Sequence, residues 1–469
     1  MITRRVRLRG REPWGRCRGW LARLAMAPLL VAALAPGVAF ADTLDQALAK
    51  AYNSNPRLLA ERARLRAIDE AVPQALSNWR PTVTLTAEAG ITRTDSATTT
   101  PHVRTTEPTT ADITVTQPLY RGGRTTAETA RAENEVRAAR ARLSSVEQGV
   151  LLSGTRAYVD VFRDLAVVEL NIKNVQRVRR QLQATGDRFR VGEVTRTDVS
   201  QAEARLARAT ADRVQAEGNL ISSRAIYRNI IGEAPGELAQ PTLKDLPASE
   251  TEAQELAGGA NPDVIAAEFD EKAARDDIKV IHGELLPELN VKGTLSASDE
   301  ASSPTSSRNR GEIMAELTIP LYQAGDVYSR LRETKEVASQ RRQQVHEARR
   351  NAIEAAARAW ESLSTARARV RAFQEEVRAN EIALIGVETE ALVGTRIVLD
   401  ILDAEQELLD AEVNLVRSQR DEIIAGHELK LAVGRLTAVH LGLPVKIYDF
   451  EGNYRSVRDR WFGAPKGSD

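Results

Sequence analysis

The chain has 469 residues, and its 65 lysines and arginines balance 65 aspartates and glutamates. Eight of the basic residues and one of the acidic residues precede residue 42, so the rest of the chain carries 57 basic and 64 acidic residues, a net charge of −7. This negative balance argues against nucleic acid as a partner, and the single cysteine, Cys17, excludes a disulfide within the chain.

Residues 1–41 have the pattern of a secretory signal peptide. An arginine-rich start is followed by the apolar run LARLAMAPLLVAALAPGVAFA, which ends in a small-residue cleavage motif at 39–41. A membrane-anchor helix is the weaker interpretation, because the run contains two prolines and falls short of the roughly 20 apolar residues that a span needs. We expect cleavage before Asp42, which also removes Cys17. The position of Cys17 upstream of the apolar core argues against an N-terminal lipid anchor.

A β-hairpin is predicted at residues 82–120. The segments PTVTLTAEAGI and ADITVTQPLY alternate apolar and polar residues, which over about ten residues gives a strand with one apolar and one polar face. That length and pattern are those of an outer-membrane strand. Between the two strands, the threonine- and proline-rich residues 92–110 are predicted to form a solvated, flexible loop.

Two long helices are predicted next, at residues 124–185 and 198–231. Both segments are rich in strong helix formers, lack proline and carry apolar residues at spacings of three and four. A helix of about 62 residues would be roughly 90 Å long. Taken alone, these helices fit a generic coiled-coil rod as well as they fit a wall of helices that pack on two sides.

The same order of elements recurs in the second half, with a hairpin at 287–322, a serine-rich loop at 296–310 and long helices at 326–389 and 397–433. An offset of 202 residues places QPLYRGG on IPLYQAG and RVGEVTRTDVSQAEARL on LVGTRIVLDILDAEQEL. This self-similarity predicts a tandem duplication. The predicted parts are a first repeat at 42–236 with its long helices ending at 231, an inter-repeat equatorial segment at 237–260, a second repeat at 261–443 with its long helices ending at 433, and a C-terminal tail at 444–469.

Four strands cannot close a barrel, and the free edges of an open sheet cannot be satisfied in lipid. We therefore expect the chain to oligomerise: three copies supply twelve strands, whereas two supply eight, too few for an open lumen. A soluble sandwich built from the four strands is the alternative.

These motifs, together with TLDQALAKAYNSNPRL at the start of the mature chain, resemble the TolC-like family of outer-membrane exit ducts over residues 43–443. The resemblance implies a mostly α protein with a small β part, a homotrimer whose four strands per chain form a shared 12-stranded transmembrane β-barrel in outer-membrane lipid. A long α-helical tunnel would continue the barrel into the periplasm of a Gram-negative cell. The implied function is a passive conduit in a tripartite export system, for proteins by type I secretion or for drugs and small molecules by efflux. Its implied partners are a periplasmic adaptor (membrane fusion) protein and an inner-membrane pump, either an ABC exporter or a proton-driven pump of the RND or MFS type.

The repeated stretches at 190–206 and 392–408 are predicted to be turns between helices, at the end of the rod far from the strands. In the first, Gly192 ends one helix and Thr195, Thr197 or Asp198 can cap the next. Capping accounts for Asp198 as well as a functional role does.

In the second turn, Gly394 ends a helix and Thr395 can cap the one that follows. Asp400 and Asp403 share a helical face three residues apart, and Asp400 lies beyond the capping position if Thr395 is the cap. The resemblance implies that this pair lines the periplasmic aperture, where three copies would form a cation-attracting ring.

The resemblance also assigns a latch between neighbouring tip helices to Arg396, Thr197 and Asp198. A tyrosine that contributes to the latch in well-known members is replaced here by Ala391. Adaptor docking is expected at the tip turns, although turn chemistry alone also explains those residues. The docking residues are Val191, Gly192, Val393, Gly394 and Thr395. The junction of barrel and periplasm is expected at Pro118, Tyr120, Pro320 and Tyr322.

Catalysis is not predicted, and neither is a cofactor or a metal. The five histidines are scattered without ligand spacing, and no phosphate-binding loop or nucleophile motif occurs. The rival class of protein is a soluble periplasmic coiled-coil scaffold.

Overall fold

The computed structural model describes residues 42–98, 100, 103–301, 303 and 305–463. The predicted signal peptide, 1–41, lies outside the described residues, as do the last six residues of the predicted tail. Across the described ranges the chain is mostly helical with a small sheet part, as predicted. No helix in these ranges combines the length and the apolar composition needed to cross a membrane.

Three short helices precede the sheet: α1 (Leu44–Ser54), α2 (Pro56–Asp69) and α3 (Ala71–Ser77). Thr43 caps α1 in a reciprocal arrangement with Gln46, in which each side chain accepts a hydrogen bond from the other residue's backbone N–H, at 3.3 and 2.9 Å. Pro56 starts α2 at the first helical position, where the missing N–H has no intrahelical partner to lose.

The strands are β1 (Thr82–Ala89), β2 (Thr92–Asp95), β3 (Val103–Thr106), β4 (Thr109–Arg121), β5 (Glu288–Asp299) and β6 (Ser307–Thr318). Four of them form one antiparallel sheet in the order β1-β4-β5-β6, so the two hairpins lie side by side, and β2 pairs with β3. Within the described residues, β1 and β6 each leave one edge without a partner strand.

The register of the four-stranded sheet separates an apolar face from a polar one. Leu85 pairs with Ile113, and Ile113 pairs with Leu295, so the three lie in one row. Their neighbours in sequence carry threonine, serine or charged side chains on the opposite face. The apolar row is exposed, at 69% for Leu85 and 64% for Leu295. The sandwich alternative is wrong for the described ranges, because one sheet holds all four strands and its apolar face remains uncovered.

Both predicted loops are shorter in the structure. The prediction of a flexible loop at 92–110 is wrong, because β2 and β3 form a hairpin there. The second predicted loop, 296–310, is wrong at both ends, because β5 continues to Asp299 and β6 already begins at Ser307. Threonine and serine are polar but pair in a ladder as well as apolar residues do, and threonine favours strands. At its other end β6 stops at Thr318, before Pro320, which has no N–H to continue the ladder, so the predicted hairpin end at Tyr322 lies outside the strand.

The remaining helices are α4 (Arg124–Arg190), α5 (Arg196–Ile231), α6 (Glu250–Ala260), α7 (Pro262–Gly283), α8 (Asp326–Leu392), α9 (Val398–Ala432) and α10 (Gly452–Val457). The long helices confirm the prediction. Both α4 and α8 have 67 residues, a length of roughly 100 Å. Each begins after a glycine with a left-handed backbone, Gly123 at φ 74° and Gly325 at φ 79°.

Packing joins α4 to α5 and α8 to α9, and α7 lies against both α4 and α8. The largest apolar cluster surrounds the middle of α4, where Leu151 and Tyr158 pack with Leu48 of α1. The hydroxyl of Tyr158 donates to the carbonyl oxygens of Asp42 and Ala239, at 2.7 and 2.6 Å. Asp42 and the segment after α5 are thereby both fixed to the middle of α4.

Candidate functional site

The first tip turn connects α4 to α5. Gly192 has a left-handed backbone at φ 84°, and the N–H of Glu193 donates to Arg188 O at 3.0 Å, which closes the end of α4. Thr195 is the cap of α5: its hydroxyl accepts from the N–H of Asp198 at 3.3 Å. The Asp198 carboxylate accepts from the hydroxyl and the N–H of Thr195, both at 2.7 Å. These hydrogen bonds hold the pKa of Asp198 below its usual value.

The second tip turn, between α8 and α9, follows the same path with a different cap. Gly394 repeats the left-handed backbone at φ 84°. The prediction that Thr395 caps α9 is wrong, because its N–H and hydroxyl both donate to Glu390 O, at 3.0 and 2.8 Å, and so close the end of α8. The cap position belongs to Ile397, which has no hydroxyl, and the Asp400 carboxylate accepts from the Ile397 N–H at 3.2 Å. Asp400 is thus the third residue of α9, and its side chain takes part in the N-terminal cap of the helix.

The faces of α9 are divided between two apolar clusters. Val398 and Leu402 pack in a cluster with residues of α4 and α5. Ile401 and Leu408 pack in another with residues of α8, including the buried Ala391. At about 100° per residue, Asp400 and Asp403 lie about 60° apart on the arc that neither cluster uses. The structure thus places the predicted carboxylate pair on one face of α9, with Asp403 exposed and Asp400 half-buried.

Each of these carboxylates faces an arginine of its own chain. Asp403 forms an ion pair with Arg205 of α5, and Asp400 lies 3.9 Å from a guanidinium nitrogen of Arg396. Sequence reasoning missed Arg205, because the two residues of the pair are 198 positions apart in the sequence. The only signal is that Arg205 follows Asp198 by seven residues and so shares its face of α5.

The predicted latch residues do not meet within one chain. Arg396 donates to the Glu390 carboxylate at 2.9 Å, and Asp198 is engaged with Thr195. Thr197 is exposed. Among the described residues, no hydrogen bond or ion pair joins Arg396 to Thr197 or Asp198.

A buried polar layer lies two turns into α9. Glu405 is 5% exposed, and its Oε2 has no hydrogen-bond partner among the described residues. Burial raises the pKa of Glu405 to about 7, while Arg177 on α4 opposes the shift and Glu388 on α8 adds to it. Glu412, one heptad further along α9, lies 3.7 Å from Arg177, and burial raises its pKa too. The sequence pattern does not distinguish these residues from the many surface glutamates of the helices.

The tip turns expose apolar side chains, with Val191 73% and Val393 74% exposed. At the opposite end of the long helices, Pro118 and Tyr120 flank a register irregularity between β4 and β5. Tyr120 is 44% exposed, and Tyr322, in the segment between β6 and α8, is 83% exposed. No cluster of histidine, cysteine or acidic side chains that could hold a metal ion occurs in the described ranges.

Comparison with known proteins gives consistent matches over most of the chain. The family model for outer membrane efflux proteins matches residues 47–233 and 254–435. The outer membrane efflux protein BepC of Brucella suis is 34% identical over 443 residues, which cover 94% of this chain and 96% of that protein. The outer membrane protein TolC of Vibrio cholerae is 30% identical over 409 residues, 85% of this chain and 92% of its own length.

The fold also matches a solved structure, the Campylobacter jejuni CmeC outer membrane channel, with a TM-score of 0.75 at 14% identity over 89% of each chain. At that identity the likeness concerns the fold alone. The family model and the two relatives establish the rest: the chain is an outer-membrane protein and belongs to the outer membrane efflux protein family, a family of transport channels.

Proposed function

We propose that this chain is the outer-membrane channel of a tripartite export system. It is a passive conduit, without catalysis, that leads substrates from an inner-membrane pump to the exterior and docks a periplasmic adaptor at its tip. The observation that carries the proposal is the two-faced sheet, whose strands lead directly into two 67-residue helices. The name of the Brucella relative, an efflux protein, supports an export role.

The conduit is a homotrimer with a shared barrel of twelve strands. The free edges of β1 and β6 support this, because a sheet edge in lipid must be paired. The strands alternate in direction from β1 to β6, so β6 of one copy and β1 of the next would also run antiparallel. The apolar face, with Ile313 83% exposed, would then face lipid, and the polar face would line the lumen.

The two halves are tandem repeats at 42–236 and 261–443. Three features support this interpretation: α4 and α8 have equal length, both turns have a glycine at φ 84°, and Asp198 and Asp400 each place a carboxylate at a helix start. The family model, which matches in two segments on either side of residues 234–253, supports an inter-repeat segment at 237–260. The tail at 444–469 lies outside both repeats.

The periplasmic aperture lies at the tip turns, where three copies bring six carboxylates, Asp400 and Asp403, around one axis. Their shared face on α9 supports this assignment. Because each carboxylate has an arginine within reach, the field of the ring depends on Arg396 and Arg205. Exposed ion pairs of this kind are weak because water screens both charges, so they can be exchanged for other contacts when the aperture opens.

The latch joins Arg396 of one chain to Thr197 and Asp198 of the next. It requires Arg396 to leave Glu390, an exposed residue near the end of α8. The adaptor docks on the turns themselves, where the exposed Val191 and Val393 offer apolar contacts beside Gly192, Gly394 and Thr395.

The proposal is tested by recording the purified protein in planar lipid bilayers. We expect a conducting channel that a trivalent cation blocks from the tip side, and we expect Asp400→Ala combined with Asp403→Ala to abolish the block. Asp212→Ala removes an exposed carboxylate from the middle of α5 and is the matched control, for which block should persist. Unchanged block in the double variant would refute the aperture assignment. Absence of any channel, with extraction in plain buffer, would replace the conduit by a periplasmic scaffold.

A further inference from the structure

The C-terminal tail packs along α4 and runs toward the first residues of that helix, next to the sheet. The Tyr454 ring lies 5.1 Å from the guanidinium carbon of Arg140. Four residues later, the guanidinium of Arg458 donates to the Glu133 carboxylate at 3.3 Å. From Arg140 to Glu133 the contacts move seven residues, or roughly 10 Å, toward the start of α4. That start, Arg124, is where the helix meets the sheet.

The described part of the tail reaches the segment that precedes β1, at the base of the sheet's apolar face. The Arg80 guanidinium, two residues before β1, donates to Arg460 O at 2.6 Å and lies 4.9 Å from the centre of the Trp461 ring. The side chain of Gln117, which belongs to the same face as the apolar rows of β4, donates to Trp79 O at 2.9 Å. The segment before β1, which contacts the tail through Arg80, is therefore also hydrogen-bonded to Gln117 on the apolar face of the sheet.

This end of the tail presents large aromatic side chains to the outside. Trp461 is 58% exposed and Phe462 is 87% exposed, with ring centroids 6.5 Å apart. Trp79, which precedes Arg80 in the sequence, is 41% exposed. Exposed tryptophans are uncommon on surfaces that face only water, whereas tryptophan and tyrosine are enriched where a membrane surface meets water.

We propose that Trp461 and Phe462 form a membrane-surface anchor, which enters the interfacial layer of the phospholipid leaflet that borders the periplasm. The proposal commits to lipid because the patch continues the apolar face of the sheet, and it rests on the proposed barrel, which orients that face toward lipid. Arg80 is suited to its place, since a guanidinium stacked on an indole ring can also meet a lipid phosphate. The anchor fixes the tail, and with it α1 and α2, at a set depth below the barrel.

The test uses tryptophan fluorescence in phosphatidylcholine vesicles, with plain lipid compared with lipid brominated near the headgroup end of its acyl chains. Without residues 1–41, the predicted signal peptide, the chain has three tryptophans, Trp79, Trp360 and Trp461. Substituting two of them by phenylalanine leaves one reporter at a time. Trp360, in the middle of α8, is the matched control far from the sheet. Leu85→Trp in a chain whose three tryptophans are phenylalanine reports lipid contact by the apolar face.

We expect brominated lipid to quench Trp461 and Leu85→Trp strongly and to leave Trp360 unchanged. Quenching of Leu85→Trp without quenching of Trp461 would overturn the anchor and leave the barrel standing. Loss of quenching at both positions would overturn the barrel proposal and the anchor with it. All the reporters carry conservative substitutions or lie on an exposed face, so the comparison is made on folded protein.

Discussion

Replacing Glu405 by glutamine tests the reasoning about the buried layer between α4, α8 and α9. Burial raises the pKa of Glu405 from 4.5 to about 7, and its Oε2 has no partner among the described residues. Between these two pH values the folded chain keeps a proton that the unfolded chain releases. The folded state therefore loses stability as the pH rises from 4.5 to about 7, because it must then hold a buried anion.

The size of the effect follows from that interval. At about 1.4 kcal/mol for each pH unit, the interval from 4.5 to about 7 gives a loss of about 3 kcal/mol per chain above neutral pH. Glutamine has nearly the shape of the protonated acid and carries no charge at any pH. Glu405→Gln should therefore raise the free energy of unfolding by up to this amount near pH 8 and by almost nothing near pH 4. For about 430 residues, whose unfolding entropy is about 0.9 kcal/mol per kelvin, the gain corresponds to a rise in Tm of about 3 °C.

The assay is thermal unfolding of the detergent-solubilised protein, followed by circular dichroism at a series of pH values with constant salt. Glu407→Gln is the matched control, because Glu407 is an exposed carboxylate two residues further along α9. It should leave the dependence of Tm on pH as in the original chain. A gain in Glu405→Gln that is equally large near pH 4 and near pH 8 would refute the reasoning, since charge burial would then not be its cause.

Two further predictions concern the arginines at the tip. Arg205→Ser frees the Asp403 carboxylate, so it should strengthen trivalent-cation block, whereas Arg208→Ser on an exposed position of the same helix should not; weaker block would mean that Asp403 does not face the ion path. Arg396→Ser removes the proposed latch and should raise the conductance of the isolated channel, with Arg190→Ser as the control at the other turn. A closed channel of unchanged conductance would contradict the latch.

The long helices could be predicted from sequence because their signals are local. An alanine-rich, proline-free composition continues over the whole of each segment, and α4 ends at Arg190, only five residues beyond the predicted boundary. The hairpin of β2 and β3 could not be predicted in the same way. Its segment is polar, which is typical of loops, but a strand needs only backbone partners, and the polarity of the side chains does not reveal whether β2 and β3 pair.

At the tip turns, too, the sequence could not predict the contacts of individual residues. The self-similarity of the sequence predicts two similar turns, and the structure has both, with Gly192 and Gly394 at φ 84°. The self-similarity cannot tell that the position matching Thr195 is occupied by Ile397 and is capped from Asp400 alone. The pair of Arg205 and Asp403 depends on how α5 lies against α9, and no periodicity within one helix carries that information.

Helix α9 has a strong side, which packs against α8, and a weak side, which packs against α4 and α5. Toward α8, Ile401 and Leu408 pack in a cluster of aliphatic side chains, and each such buried side chain stabilises the contact by about 1.5–3 kcal/mol. Toward α4 and α5, the apolar cluster at the tip also takes two side chains of α9, Val398 and Leu402, so the difference between the two sides comes from their polar groups.

Beyond these two residues, the weak side holds exposed or unsatisfied polar groups. They are the pair of Arg205 and Asp403, the unpartnered Oε2 of Glu405 and the long contact of Arg177 with Glu412. An exposed pair contributes about 0–1 kcal/mol, and a buried polar group without a partner costs about 1–3 kcal/mol. A force applied at the tip turns should therefore separate α9 from α4 and α5 before it separates α9 from α8. Glu405→Gln, which removes the largest single cost on the weak side, should make that separation harder.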